Sequence, residues 1–501
     1  MAAVDMAGTA QGTLAIREKA KLRKVLGRLD LVLFTACAIV GLDSIAQAAE
    51  GGAQAITWLG VSLVFFLIPY GMLVAELGAA FPVEGGPYEW ARMSFGRAVG
   101  AVTAILYWLS NPLWVGGTLT AATIATLNSF VLSKPLTKPW EIVIGLVFIW
   151  VTTGIAIIAF RIGKWGPNIG TFVKFLVVGL FTVLFIVFIA QHGRPHGTSG
   201  AADFKPTLTG FLTAIGIIVF MWVGFELSTG AAEEMRNPRR DVPAMIIRSG
   251  VIAAVLYALV IGGIVLVIPK AQLSNVAGFA DAFSDVSATF HSHALDDVFA
   301  ALVIITLVGS GAVWLEGADR TQAIAALDGA APAWMGKFTS FGTPIAVNLS
   351  SGVVASVMLV IVIATSGNLA SFFSVMLALT VSSTAVDYIF IFPALLVLRR
   401  RYPNATRPYR VPGGSAGAWA AVIITELFVI VTAITLLWPG AINALFRQPY
   451  SIESSYSVSR PFFEWVTLGS MAAMIVLGIV FWLLGERTRK AGLTGITISG
   501  E

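Results

Sequence analysis

Cysteine is nearly absent from this 501-residue chain, since Cys37 is the only one and lies inside the first long apolar segment. One thiol cannot form a disulfide within the chain or a thiolate cluster around a metal. The four histidines are expected in loops and show no metal-ligand spacing. The sequence therefore predicts no metal, no redox chemistry and no cofactor.

Charge is also scarce, because Asp, Glu, Lys and Arg make up 12% of the residues, against roughly 25% in soluble domains. No glycine-rich nucleotide loop, Ser/His/Asp arrangement or carboxylate pair occurs outside the apolar segments, so an enzyme is not expected. A net charge of +5 would favour nucleic-acid binding in a soluble domain. Here the basic residues lie between apolar segments, where they set topology, and no nucleic-acid partner is predicted.

Apolar sequence is abundant, with 57% hydrophobic residues and a mean hydropathy of +0.85. A helix that spans a membrane needs about 20 mostly apolar residues, and about twelve segments meet this requirement. They predict an all-α integral membrane protein with many spans. The predicted spans are 31–49, 55–77, 99–127, 141–160, 170–190, 210–229, 244–267, 298–315, 345–363, 369–397, 419–438 and 465–484.

The basic residues predict an orientation. Of the 32 Lys and Arg residues, 24 lie in the N-terminal segment and in every second loop after it. Cytoplasmic loops of membrane proteins are enriched in Lys and Arg, so both termini are predicted to be cytoplasmic and the membrane to be the plasma (cell inner) membrane. Residues 1–27 are polar and basic and are not expected to act as a cleaved signal.

Two of the predicted spans carry an acid directly after a glycine and a large apolar residue. The segment AIVGLDSIAQ contains Asp43, and the segment MWVGFELSTG contains Glu226. An ionisable group at bilayer depth costs about 2.5–3.5 kcal/mol on insertion scales and almost always faces a cavity or a partner. Two glycine-interrupted spans in corresponding positions of two halves are typical of the binding site of a transporter.

An interrupted helix exposes backbone groups that have lost their helical partners. At membrane depth such groups are tolerated only where they line a cavity or are buried in protein. The half-helix that starts near Ser44 is expected to present its positive end to an anion, and those ending near Gly41 and Gly224 to present carbonyls to an ammonium. A zwitterionic amino acid fits such a pair of ends.

Three motifs resemble the amino acid–polyamine–organocation transporters. AELGAAFPVEGGPYEW (75–90) is similar to the end of the family's second span and the following loop. AAEEMRNPRRDVP (231–243) resembles the segment after its sixth span, and WLEGADRTQAIAALDGAAP (314–332) resembles the end of its eighth. The resemblance extends over nearly the whole chain.

The resemblance implies a LeuT-type architecture, in which spans one to five and six to ten form inverted repeats and spans one and six are broken. It divides the chain into a cytoplasmic tail (1–28), a transporter core (29–400), two peripheral spans (401–485) and a second cytoplasmic tail (486–501).

The implied function is secondary active transport of amino acids, related organic amines or polyamines, coupled to protons and independent of sodium. An exchanger, or a non-transporting sensor on the same scaffold, remains an alternative. Substrate, protons and membrane lipid are the expected partners, and the oligomeric state stays open.

The resemblance also implies a substrate site at the two breaks. Asn111 and Trp114 in YWLSNPLWVGG are further candidates to line it, although Asn111-Pro112 could simply kink the third span. The implied site residues are Gly41, Leu42, Asp43 and Ser44 at the first break, Phe220, Met221, Trp222, Gly224 and Phe225 at the second, and Trp314 at the position of an aromatic gate.

Asp43 departs from the family pattern. Family members that bind amino acids usually have small residues at the first break, which let backbone N–H groups close around a carboxylate. A carboxylate at this position would repel a substrate carboxylate and attract an ammonium. We therefore predict that Asp43 binds the substrate amino group or carries a proton. Alternatively, it caps the second half-helix by accepting hydrogen bonds near Ile45 and Ala46.

Three more intramembrane ionisable residues stand out, and of these Lys174 and Glu226 are candidates for coupling. Lys174, in GTFVKFLVVGL, matches a lysine whose ammonium fills the sodium site in some proton-coupled family members. Its alternative is snorkelling to the interface. Glu226 is a candidate proton acceptor or gate, or else a hydrogen-bonded stabiliser of the broken helix. Asp387, in STAVDYIFIF, is expected to face the interior.

Overall fold

The computed structural model describes residues 27–162, 165–194, 200–269, 278–287, 293–340, 342–447 and 458–490. Within these ranges the chain forms helices joined by loops. The predicted terminal tails lie outside them, except for residues 27–28 and 486–490.

The helices follow one another along the chain with mostly short connections, and π-helical turns occur at Leu63–Leu67, Val115–Leu119 and Leu127–Val131. Short 3₁₀ helices occur at Ala201–Phe204, Leu227–Glu234 and Ala333–Gly336. In chain order the helices are α1 (Arg28–Ile39), α2 (Ile45–Ala49), α3 (Ala53–Ala80), α4 (Gly86–Phe95), α5 (Arg97–Val131), α6 (Lys138–Ile162), α7 (Trp165–His192), α8 (Leu208–Met221), α9 (Pro238–Val267), α10 (Gly278–Ser287), α11 (His293–Leu327), α12 (Ile345–Thr365), α13 (Leu369–Arg401), α14 (Gly414–Leu437), α15 (Pro439–Phe446), α16 (Arg460–Leu484) and α17 (Glu486–Lys490).

Ten helices in the described part of the chain are long and apolar enough to cross a membrane. They are α3, α5, α6, α7, α9, α11, α12, α13, α14 and α16. The protein is therefore a multi-pass membrane protein. The count of about twelve is not reached, because the predicted spans 31–49 and 210–229 are each divided into shorter helices.

Helix α5 lies at the centre of the bundle and α16 at its periphery. In their apolar portions, 83% of α5 is buried but only 22% of α16. Glycine permits the close approach of α5 to its neighbours, since a Cβ atom added at Gly116 would lie 2.5 Å from the carbonyl oxygen of Ala355 in α12. Small residues at such contacts let membrane helices pack backbone to backbone.

The two divided spans lie against each other inside this bundle. Helix α1 packs against α7, α9 and α11, and also against the 3₁₀ helix Leu227–Glu234 that follows α8. The ends of α1 and α8 are therefore enclosed by long helices, which can supply side-chain partners to their unpaired backbone groups.

Candidate functional site

The first break separates α1, which ends at Ile39, from α2, which begins at Ile45. The last carbonyls of α1 have no partner within the helix. Lys174 of α7 binds one of them and the carbonyl just after the helix, because its Nζ donates to the carbonyl oxygens of Cys37 and, at 2.5 Å, of Val40. Lys174 is 1% exposed, so its ammonium lies at the break and not at a membrane surface.

Two other helices supply further donors to the carbonyls at this break. Trp314 of α11 donates from Nε1 to the carbonyl of Ala38 at 2.9 Å. Tyr257 of α9 donates to the carbonyl of Ile39 at 2.6 Å and accepts from the N–H of Gly41 at 2.9 Å. At the first break, carbonyls that were expected to face a substrate ammonium are therefore bound by side chains of the protein itself.

Asp43 is buried in the loop between α1 and α2. Its Oδ2 accepts hydrogen bonds from Trp114 Nε1 at 2.7 Å and from Thr118 Oγ1 at 2.8 Å, both on α5. Its Oδ1 has no hydrogen-bond partner among the described residues. The carboxylate also interacts electrostatically with Lys174. One oxygen of a buried carboxylate is thus left for a donor that the described protein does not supply.

The capping role considered for Asp43 is not seen in this arrangement. The N-cap residue of α2 is Ser44, and this helix has no side-chain cap hydrogen bond. The Ser44 hydroxyl instead donates to the carbonyl of Gly41 at 3.0 Å. The Asp43 carboxylate therefore points to α5 and away from the start of its own helix.

Beside Asp43 lies a cavity of about 20 Å³, which Leu42, Phe279 of α10 and Phe299 of α11 also line. This volume holds about one water molecule. A ligand with the size of an amino acid can reach Asp43 only if the surrounding side chains rearrange.

The second break follows α8 and contains Gly224 with φ at +128°, a conformation that side chains other than glycine rarely adopt. A Cβ at this position would also lie 3.0 Å from Trp314. The hydroxyl of Tyr70 on α3 accepts hydrogen bonds from the N–H groups of Gly224 at 3.1 Å and Phe225 at 3.0 Å. Tyr70 therefore binds the unwound backbone here as Tyr257 does at the first break.

Glu226 is buried directly after this turn and accepts hydrogen bonds from the hydroxyls of Tyr70 and Tyr107, the latter at 3.2 Å. The hydroxyl of Tyr388 on α13 lies 3.2 Å from that of Tyr70. Phenol donors stabilise the ionised form of a carboxyl group. The arrangement is compatible with both roles that the sequence suggested for Glu226.

Three aromatic side chains connect the two breaks. The rings of Trp114 and Trp314 meet edge to face, with centroids 6.0 Å apart and planes at 75°. Phe220 of α8 packs on Trp114 in the same way, at 6.1 Å. Aromatic faces beside a buried carboxylate are suited to an organic cation.

Two predicted site residues use their polar atoms elsewhere. Trp222 donates to the hydroxyl of Ser62 at 2.8 Å, and its ring packs on Tyr257. Asn111 donates at 2.8 Å to the carbonyl of Tyr107 on its own helix. Met221 is buried at the end of α8, and Phe225, at the second break, packs on Tyr70.

Several hydroxyl residues at the breaks were not predicted, among them Tyr70, Tyr107, Thr118 and Tyr257. Their only signal in the sequence is a polar atom within an apolar span. That signal recurs at many other positions, so it could not identify these residues before their neighbours were known.

Comparison with known proteins matches residues 26–451 to the family described as "Amino acid permease". The probable agmatine/putrescine antiporter AguD of Lactococcus lactis is 30% identical over 82% of this chain and 88% of its own length. An uncharacterized transporter of Legionella pneumophila is 29% identical over 78% of this chain and 85% of its own length. The branched-chain amino acid permease BcaP of Bacillus subtilis is 24% identical over 83% of this chain and 91% of its own length.

Proposed function

This chain belongs to the amino acid permease family and is a membrane transporter, and we propose that it is a secondary active carrier of organic amines or amino acids. Transport proceeds by alternating access around the breaks at Asp43 and Glu226. The two divided spans cross the membrane with the ten long helices, giving twelve spans in two inverted repeats and two peripheral helices. Both termini face the cytoplasm, and the membrane is the plasma membrane.

The observation that carries this proposal is the unpartnered oxygen of the buried Asp43 carboxylate. A substrate ammonium supplies both the missing hydrogen bond and the opposite charge, and it contacts the faces of Trp114 and Trp314. A substrate carboxylate at the same place would meet a like charge in a medium of low dielectric. The site therefore favours substrates that bind with their amino group at the first break, next to Asp43.

The chemistry of the substrate is proposed to be that of an amine, or of an amino acid with a second amino group. AguD is named as a probable antiporter of agmatine and putrescine, which are amines without a carboxylate. Asp43 fits such compounds, because it offers a negative charge where a carrier of simple amino acids would offer backbone N–H groups.

Coupling is proposed to use protons and not sodium. The ammonium of Lys174 donates to the carbonyls of Cys37 and Val40, where a bound sodium ion would otherwise find oxygen ligands. Lys174, Glu226 and Asp43 are the ionisable side chains at the breaks, and each is proposed to take part in coupling or gating. Because the Lys174 ammonium occupies the position of a sodium ion, the proposed driving force is a proton gradient.

Exchange is the second candidate mode, because AguD is named an antiporter. Both modes are tested with purified protein in proteoliposomes and labelled putrescine, lysine and leucine. A carrier driven by protons accumulates a probe when only a pH gradient is imposed. An exchanger accumulates it only when unlabelled substrate is inside. Absence of uptake for every probe under both conditions would contradict transport of this class of compounds.

A further inference from the structure

A second buried acid lies close to Glu226 and is not used by the mechanism proposed above. Asp387 lies in the middle of α13 and is completely buried. Neither of its carboxyl oxygens has a hydrogen-bond partner among the described residues. An ionised carboxylate buried without donors is far more costly than a neutral carboxyl group in the same place.

The groups that face Asp387 carry no positive charge. Glu226 acts on it electrostatically, and Tyr107 of α5 and Tyr388 of its own helix interact with it as well. Tyr70 of α3 completes the group through its contact with Tyr388. Within the described part of the chain, no lysine, arginine or histidine is among the groups that act on Asp387.

The two carboxyl groups have unequal surroundings. Glu226 accepts hydrogen bonds from Tyr70 and Tyr107, which stabilise its ionised form. Asp387 has no such donors, and the negative charge of Glu226 opposes a second charge beside it. Protonation therefore relieves a larger unfavourable free energy at Asp387 than it would at Glu226.

We propose that Asp387 holds an exchangeable proton beside an ionised Glu226, and that this is the proton moved during transport. The proposal rests on the carrier function proposed above, and it places the proton on a residue outside the two breaks. The proton comes from water on one side of the membrane, binds the Asp387 carboxylate and leaves to water on the other side. No bond to the substrate is formed.

The position of the pair in the fold supplies the coupling. Glu226 belongs to the interrupted segment after α8, whereas Asp387 belongs to α13, a continuous helix of 33 residues. Movement of the interrupted segment relative to α13 changes the distance between the two carboxyl groups. The free energy of holding the proton therefore depends on the conformation.

Infrared spectroscopy tests where the proton is, independently of transport. The purified protein in lipid at neutral pH should show the C=O stretching band of a buried protonated carboxyl group, which moves in heavy water. Asp387→Asn should remove intensity from this band. The control Glu464→Gln should not, because Glu464 is paired with Arg460 at 2.9 Å. An unchanged band in Asp387→Asn overturns the proposal, and a loss seen with Glu226→Gln but not with Asp387→Asn overturns the choice of residue.

Transport measurements test the coupling. In proteoliposomes, Asp387→Asn should still exchange labelled for unlabelled putrescine or lysine but should no longer accumulate the probe in a pH gradient. Accumulation equal to wild type would contradict the coupling role. Asp387→Ser should behave in the same way, so the coupling role can still be tested if the Asn variant does not fold. If the wild type moves none of the probes, the proposed carrier function fails, while the infrared result still decides whether Asp387 holds the proton.

Discussion

Trp114 and Asp43 are 71 positions apart in the sequence, yet the indole N–H of Trp114 donates to the Asp43 carboxylate at 2.7 Å. The same indole packs edge to face on Trp314, which reaches the other side of the first break. A single aromatic side chain therefore connects the acid of the first break to Trp314, whose ring also lies beside Gly224 at the second break. Ligand binding at Asp43 and closure by Trp314 are expected to depend on each other.

Asp43→Asn should retain the fold and lose substrate affinity. An asparagine oxygen can still accept from Trp114 and Thr118, but the charge that binds an ammonium is gone. The expected loss is about 2–5 kcal/mol of binding free energy, as for removal of one partner of a buried charge pair. Isothermal titration with putrescine and lysine measures it.

Thr118→Val is the matched control for Asp43→Asn, because it removes one hydrogen-bond donor to Asp43 but keeps the carboxylate. It should lower the free energy of unfolding by about 0.5–1.5 kcal/mol and change affinity much less. Equal affinity of wild type and Asp43→Asn for every ligand would leave Asp43 with a structural role alone.

The charge of Asp43 also predicts an order of substrates. Amines without a carboxylate, and amino acids with a second amino group, should stabilise the protein against heat more than acidic amino acids do, because bound ligand stabilises the folded state. A thermal-shift series with putrescine, lysine, leucine and glutamate gives the order. Glutamate as the best ligand at neutral pH would refute the electrostatic basis of the proposed site.

Trp314 is expected to close over the bound amine with its aromatic face. Trp314→Leu should weaken binding by about 0.5–2 kcal/mol, the range of a cation–π contact. Trp314→Phe keeps an aromatic face but loses the hydrogen bond to the Ala38 carbonyl, so it should retain more affinity than the leucine variant. Unchanged affinity in both variants, together with lower thermal midpoints, would show that Trp314 serves packing only.

Lys174→Ala should leave the carbonyls of Cys37 and Val40 without donors, at a cost of about 1–3 kcal/mol each. Sodium should then raise the thermal midpoint of this variant but not that of the wild type. The control is Lys138→Ala, since Lys138 is exposed and also donates to a carbonyl, that of Ser366. Wild-type uptake that disappears when choline replaces sodium would contradict the proposal.

Gly224→Ala should destabilise the second break. The backbone has φ at +128° and the added methyl group would lie 3.0 Å from Trp314, so the expected loss is about 1–3 kcal/mol of unfolding free energy. Gly179→Ala, in an open position on α7, should be neutral or stabilising. Chemical unfolding in detergent compares the two variants, and equal stabilities would show that Gly224 is not required for the turn.

Much of the site could be predicted from local sequence. Apolar length identifies a membrane protein, and a glycine two positions before an acid within such a segment marks where the helix is interrupted, because both features act over a few residues. Gly41, Asp43, Gly224 and Glu226 therefore lie where the sequence placed them, at the two breaks. The sequence left two alternatives open for Lys174, the cation position or the membrane interface, and the structure places its ammonium at the first break.

The partners of these residues were decided by the tertiary structure alone. Trp314 reaches the carbonyl of Ala38 across 276 positions, and Tyr257 reaches that of Ile39 across 218. Which face of a long helix points at a break depends on helix rotation, and rotation is set by packing contacts between helices that are distant in sequence. The side chain of Trp222 points toward Ser62 and not into the predicted site. Trp222 directly follows the last residue of α8, and beyond the end of a helix the period of 3.6 residues no longer fixes the direction of a side chain.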